Sequence, residues 1–178
     1  MKTTVLVIFV TLMITSCSIN DSSITLVCKG TQKIESKNRV TNTFFPTESN
    51  HVTRTYKFFK KEVEVENSDT IKKKKVWIFN TDSQPEIFET NRKTTVPLNG
   101  SKIDVKEFSF VFVRKDDISV NRDYSKITDG KNQVSTSFIL FVDRVTGLFT
   151  ETTIYESPKQ ISKESIEGSC SKVEKNKI

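Results

Sequence analysis

Three cysteines, a single histidine, a run of four lysines and a few paired carboxylates are the residues of this 178-residue chain whose types admit chemistry. Two thiols in an oxidising compartment close a disulfide, a histidine beside a nucleophile takes its proton, and two carboxylates at a fixed separation do acid–base work. His51 stands among Glu, Ser, Asn and Thr, and no GxSxG, HExxH, CxxC or glycine-rich phosphate loop accompanies it. It reads as an ordinary surface histidine. Asp116 and Asp117 follow the strand-like stretch 102–114 and read as turn residues. The sequence carries no catalytic signature, no metal-ligand spacing and no cofactor motif.

Lys72, Lys73, Lys74 and Lys75 are the densest charge in the chain. Two readings stand side by side. The run would dock on an anionic envelope component such as lipid headgroups or an acidic polymer, where each lysine is worth about 1 kcal/mol. Alternate strand residues point to opposite faces, however, so the run equally describes a solvated edge strand whose lysines block edge-to-edge aggregation. Net charge is +6, from 28 basic and 22 acidic side chains. That modest and dispersed excess lacks the clustering of a nucleic-acid binder, so no nucleic-acid partner is expected.

The first residues assign the cysteines. Lys2 precedes the apolar stretch Val5 to Ile14, which has the length of a secretory signal and is too short to span a bilayer. It ends Ile14-Thr15-Ser16-Cys17, which resembles the lipobox of bacterial lipoproteins; the resemblance implies that Cys17 is acylated and becomes the new N-terminus. The alternative is a cleaved secretory signal and a free protein. The expected organisation is a signal peptide at 1–16, a tether at 17–23, one β domain at 24–173 and a polar tail at 174–178. The expected location is the cell envelope, held by lipid on Cys17 and facing the periplasm or in the outer membrane; otherwise the protein is secreted. Export leaves Cys28 and Cys170 as a disulfide pair or as two buried thiols.

The elements that must position these residues read as strands. The chain has no alanine and is rich in Thr, Ile, Val and 13 Phe, a composition that weakens helix and favours sheet. The apolar run Phe138 to Val142 turns at Asp143-Arg144-Val145-Thr146-Gly147 and returns through Leu148, Phe149, Ile154 and Tyr155. Residues 24–34 read as a first strand with a bend at Lys29-Gly30, and 35–51 as a loop carrying Phe44 and Phe45. Thr53 to Asn80 reads as a hairpin that sets Glu62, Glu64 and Glu66 near the four lysines. Around Pro85, a short edge strand is expected at 86–89. In 102–114, Phe108, Phe110 and Phe112 share one face and Val111 and Val113 the other, with both faces expected to be buried along the second half. Ser157-Pro158 would cap a short helical turn near 158–164.

Cys28-Lys29-Gly30, the hairpin Phe141-Val142-Asp143-Arg144-Val145-Thr146-Gly147-Leu148-Phe149 and Gly168-Ser169-Cys170 together resemble a loose group of small exported bacterial proteins. These share the pattern C-x-G, then I/V-D/N-R-x-T-G-x-F/Y, then G-x-C. The resemblance implies an antiparallel β fold clasped by its two cysteines, and no activity. The fold class expected is all-β, one antiparallel sheet forming a curved meander or partly closed barrel. Its role would be binding or envelope-structural; the alternative is a lipocalin-like carrier of a lipid or apolar small molecule, with a cavity lined by Phe.

Overall fold

The computed structural model describes residues 23–67, 70–81, 84–98, 101–128 and 132–172. The leader, Cys17 and most of the tether lie outside these residues. So do the turn positions Ser68-Asp69, Asn99-Gly100 and Asp129-Gly130 and the tail after Lys172. Eleven strands are seen among the described residues: β1 Ser23–Asn38, β2 Thr43–Phe44, β3 Glu48–Asn67, β4 Thr70–Thr81, β5 Gln84–Ile87, β6 Thr90–Leu98, β7 Ser101–Val113, β8 Asp117–Thr128, β9 Asn132–Asp143, β10 Leu148–Glu156 and β11 Gln160–Lys172.

All pairings are antiparallel, in the order β5-β4-β3-β1-β11-β10-β9-β8-β7-β6, with β2 added beside β1. β5 and β6 stand at opposite edges of this order, yet only Phe88 and Glu89 separate them in the chain. Two residues reach only about 10 Å, so the sheet must roll until its edges approach. The result is a strongly curled half-barrel. The Ser109 hydroxyl on β7 donates to the carbonyl of Phe88, fastening the link to the far edge.

Alternation decides what fills the roll. Ile24, Leu26 and Cys28 on β1, Tyr56 and Phe58 on β3, Phe138, Leu140 and Val142 on β9, and Ile166 on β11 are all buried in one cluster. The Phe79 ring on β4 stacks on Phe138 of β9 with centroids 5.7 Å apart, and Tyr56 meets Phe149 edge-on at 6.0 Å. Opposite walls therefore touch through aromatic side chains, and the interior is filled at this level. Each such ring removed from water contributes about 1.5–3 kcal/mol.

Gly30 and Gly168 face each other across β1 and β11. A Cβ built on Gly30 would stand 2.5 Å from the Glu167 carbonyl oxygen, and one on Gly168 would collide with the backbone of Lys29. The two strands approach closely because neither carries a side chain there, which lets the sheet coil tightly at its middle. At the β9–β10 turn, Gly147 takes φ 75° and donates its amide to the Asp143 carbonyl at 2.8 Å.

Four sequence expectations are corrected. Residues 158–164 form no helical turn: Pro158 and Lys159 close a tight hairpin in which the Ser157 amide donates to the Gln160 carbonyl, and β11 starts at once. The long register from Gln160 to Lys172 along β1 outweighs the local capping signal. Residues 35–51 are not one loop, since β1 runs to Asn38 and β3 begins at Glu48, before His51. The short strand near Pro85 is Gln84–Ile87, and a further strand occupies 90–98. Finally, β7 is not buried on both faces: Phe108 and Phe112 are 46% and 47% exposed on the outer face. Val111 pairs with Val120 and Val113 with Ile118, so the valines match the inner row of β8 and the phenylalanines are turned out.

Candidate functional site

Cys28 and Cys170 are directly opposed in the β1–β11 register and joined by a disulfide that spans 142 residues of chain. The clasp thus binds the first long strand to the last. It is also tied to the β9–β10 turn, because the Cys170 amide donates to the Gly147 carbonyl at 2.7 Å.

The lysine run lies on β4. The register sets Glu62 opposite Lys75 and Glu64 opposite Lys73, as the charge pattern requires. Lys74 instead faces Val63, and its ammonium pairs with Glu89 at 2.7 Å. β5 pairs with β4 only from Phe79 to Thr81, so Lys73, Lys74 and Lys75 stand exposed on an outer strand length. The side chain of Lys72 lies outside the described residues. Among Lys73, Lys74 and Lys75, alternate residues turn to different faces of the strand.

A buried polar cluster inside the roll was not visible as such in the sequence. The Tyr56 hydroxyl donates to Glu151 Oε2 at 2.5 Å, with Tyr56 fully buried and Glu151 4% exposed. Beside them Arg54 donates to Glu164 Oε1 at 3.1 Å, and Gln32 donates to the same oxygen at 2.7 Å. The Arg54 Nε is buried without a partner. Burial pushes the Glu151 carboxyl above its ordinary range, opposed by the Tyr56 hydrogen bond and the Arg54 charge. Burial and then the Glu151 charge push the Tyr56 phenol upward as well, so it stays protonated as a donor. One signal was available: Glu151 shares parity with the buried Phe149 on an alternating strand, which turns a carboxylate inward.

His51 is exposed on β3; Asp116 lies in the β7–β8 turn and Asp117 opens β8, paired to Arg114 at 3.1 Å. Among the described residues no group of His, Cys, Asp and Glu is arranged to hold a metal ion.

Beside an outer hollow of about 480 Å³ between Lys93, Lys106, Ser125 and Ile154, two outer surfaces and one inner space stand out among the described residues. An open trough of about 890 Å³ lies over the Gly30–Gly168 crossing, edged by Lys29, His51, Leu148 and Glu167. The outer face of β7 to β9 carries Phe108, Phe110 and Phe112 with Ile139 and Phe141, separated by the short side chains of Ser119 and Asn121 on β8. Inside, Arg122, Tyr124, Thr136 and Phe138 line a half-open hollow of about 230 Å³. Arg122 is held there by Glu107 at 2.9 Å. A curled half-barrel of this kind is compatible with a binding fold.

No family model matches the chain, and neither a curated protein nor a solved structure matches it.

Proposed function

We propose that the chain is an exported envelope protein, tethered by lipid on Cys17, that acts as a binding or structural module through its outer surface. The observation that carries this reading is the Cys28–Cys170 disulfide, which clasps the two ends of the domain and suits an oxidising compartment beyond the cytoplasm. The filled interior supports use of the outside: with Phe79 stacked on Phe138, an apolar carrier would have to part its own core rings to admit a lipid. The 230 Å³ inner space falls short of the roughly 300–1,000 Å³ of ordinary small-molecule sites.

Intact-mass spectrometry of the chain made with its own leader in a bacterial host tests the reading. The expected product starts at Cys17 with a diacylglycerol or triacyl mass, and Cys28 and Cys170 become alkylated only after reduction. A product without acyl mass, or with two free thiols before reduction, overturns it.

A further inference from the structure

Four exposed apolar side chains gather at one end of the roll. Val145, 77% exposed, tips the β9–β10 turn, with Leu148 at 59%, Phe112 at 47% and Phe141 at 43% behind it. The turn is held rigidly. Gly147 accepts from the Cys170 amide, and the Arg144 amide donates to the Asp116 carbonyl in the neighbouring β7–β8 turn at 2.8 Å. The Arg144 guanidinium donates to the Arg114 carbonyl, and the Arg114 guanidinium sits 5.3 Å from the Phe112 ring. Two arginines therefore border an apolar tip that cannot fold away.

This is also the end at which the described chain begins. Cys28, bonded to Cys170, lies five residues into β1 from Ser23. Six residues carry the chain from Cys17 to Ser23, a reach of at most about 20 Å. β1 then runs on for about 50 Å of strand toward Asn38 and the loop that holds Val40. An acyl chain on Cys17 would keep the Val145 end against the bilayer and the Val40 end away from it. The β3–β4 hairpin projects past the same end: Ser23 pairs with Phe59, and β3 continues to Asn67. Lys73 and Lys75 ride on that extension, each opposite a glutamate, Glu64 and Glu62.

We infer that this end is a membrane-docking rim. Val145 and Leu148 enter the boundary between headgroups and acyl chains of the same bilayer that holds the Cys17 lipid, while Arg144 meets anionic headgroups and Arg114 stays paired with Asp117 at 3.1 Å. The inference rests on the acylation of Cys17 proposed above. Its consequence is orientation: because β3 continues eight residues past Phe59, the partner of Ser23, the domain leans toward its β9–β10 side with its far loops presented outward, instead of swinging on its tether.

The test uses the lipidated full chain on vesicles of phosphatidylethanolamine and phosphatidylglycerol whose acyl chains are brominated. Two variants are compared, Val145→Trp and Val40→Trp, each with Trp77→Phe. Val40 is 75% exposed, so the two sites are matched in exposure and stand at opposite ends. At a depth of about 5–10 Å, the Val145→Trp emission should fall by about half or more, and the Val40→Trp emission should be unchanged. Hydrogen exchange of the unaltered chain on unbrominated vesicles gives the same answer without substitution: amides 144–148 slow relative to detergent micelles, and amides 39–42 do not. Flotation separates the two ideas. A chain that floats with its vesicles but shows an unquenched Val145→Trp and unslowed amides overturns the docking while the anchor stands. A chain without acyl mass that fails to float overturns both.

Discussion

Tyr56 on β3 and Glu151 on β10 share a 2.5 Å hydrogen bond across the inside of the roll, joining strands that β1 and β11 keep apart in the sheet. A lone carboxylate at this depth would be costly, and the phenol, with the Arg54 charge beside it, is what makes the position tolerable against the opposing Glu164 charge. Removing the hydroxyl in Tyr56→Phe leaves a buried acceptor unmade, and the expected loss is about 1–3 kcal/mol in urea or guanidinium unfolding. A loss below a few tenths would mean that water takes the hydroxyl's place.

The same pair sets a pH dependence. Burial raises the folded Glu151 carboxyl above its ordinary value near 4.5, so its contribution is complete below that value and is lost as pH rises through the folded one. The charged groups facing it are Arg54 and Glu164. Unfolding free energies measured on both sides of that range should decline with rising pH more steeply in the natural chain than in Glu151→Gln. Parallel profiles would show that the carboxyl titrates normally.

The disulfide closes a very long loop, and its loss should be felt throughout the domain. Reduction, or Cys28→Ser with Cys170→Ser, is expected to cost about 2–5 kcal/mol, read from the denaturation midpoint with and without reductant. An unchanged midpoint would mean that the β1–β11 ladder alone holds the termini.

The glycine crossing tolerates nothing larger. A methyl at position 168 must displace the Lys29 backbone, so Gly168→Ala should lower stability by at least about 2 kcal/mol. Circular dichroism melts would show it, and a change of less than a degree would mean that the strands spread freely.

Phenylalanines on the two faces should differ sharply. Phe138 is 1% exposed and stacked on Phe79, so Phe138→Ala is expected to cost about 3–5 kcal/mol. Phe112 is about half exposed, so Phe112→Ala should cost under about 1 kcal/mol and reduce binding of an apolar dye to the surface. Equal costs would place Phe112 inside the fold.

The turn at Asp143 shows how local chemistry is read without tertiary help. Its carboxylate accepts the amides of Thr146 and Val145 at 3.0 and 2.8 Å, and hydrogen bonding by Thr146, through amide and side chain, and then by the Val145 amide holds its pKa below the ordinary 3.8. The sign is opposite to that of Glu151: the contribution is present above 3.8 and vanishes as pH falls through the lowered value. Asp143→Asn, which keeps the acceptor, should remove that acid limb while leaving the hairpin intact by hydrogen exchange.

By itself the sequence determined the strand-rich class, the Asp143–Gly147 turn and the charge register of the β3–β4 hairpin. Each follows from local alternation, turn residues or composition. Only the tertiary structure decided which face of β7 is inside, because a period of two marks two faces without saying which one meets a core. The same limit hid Glu151, whose inward parity becomes meaningful only when Tyr56 arrives from a strand 95 residues away. Pro158 misled for the converse reason: a capping signal worth about 1 kcal/mol cannot compete with a thirteen-residue ladder. That the roll is filled, and that its exposed apolar tip stands where β1 begins, came from the order in which distant strands pair.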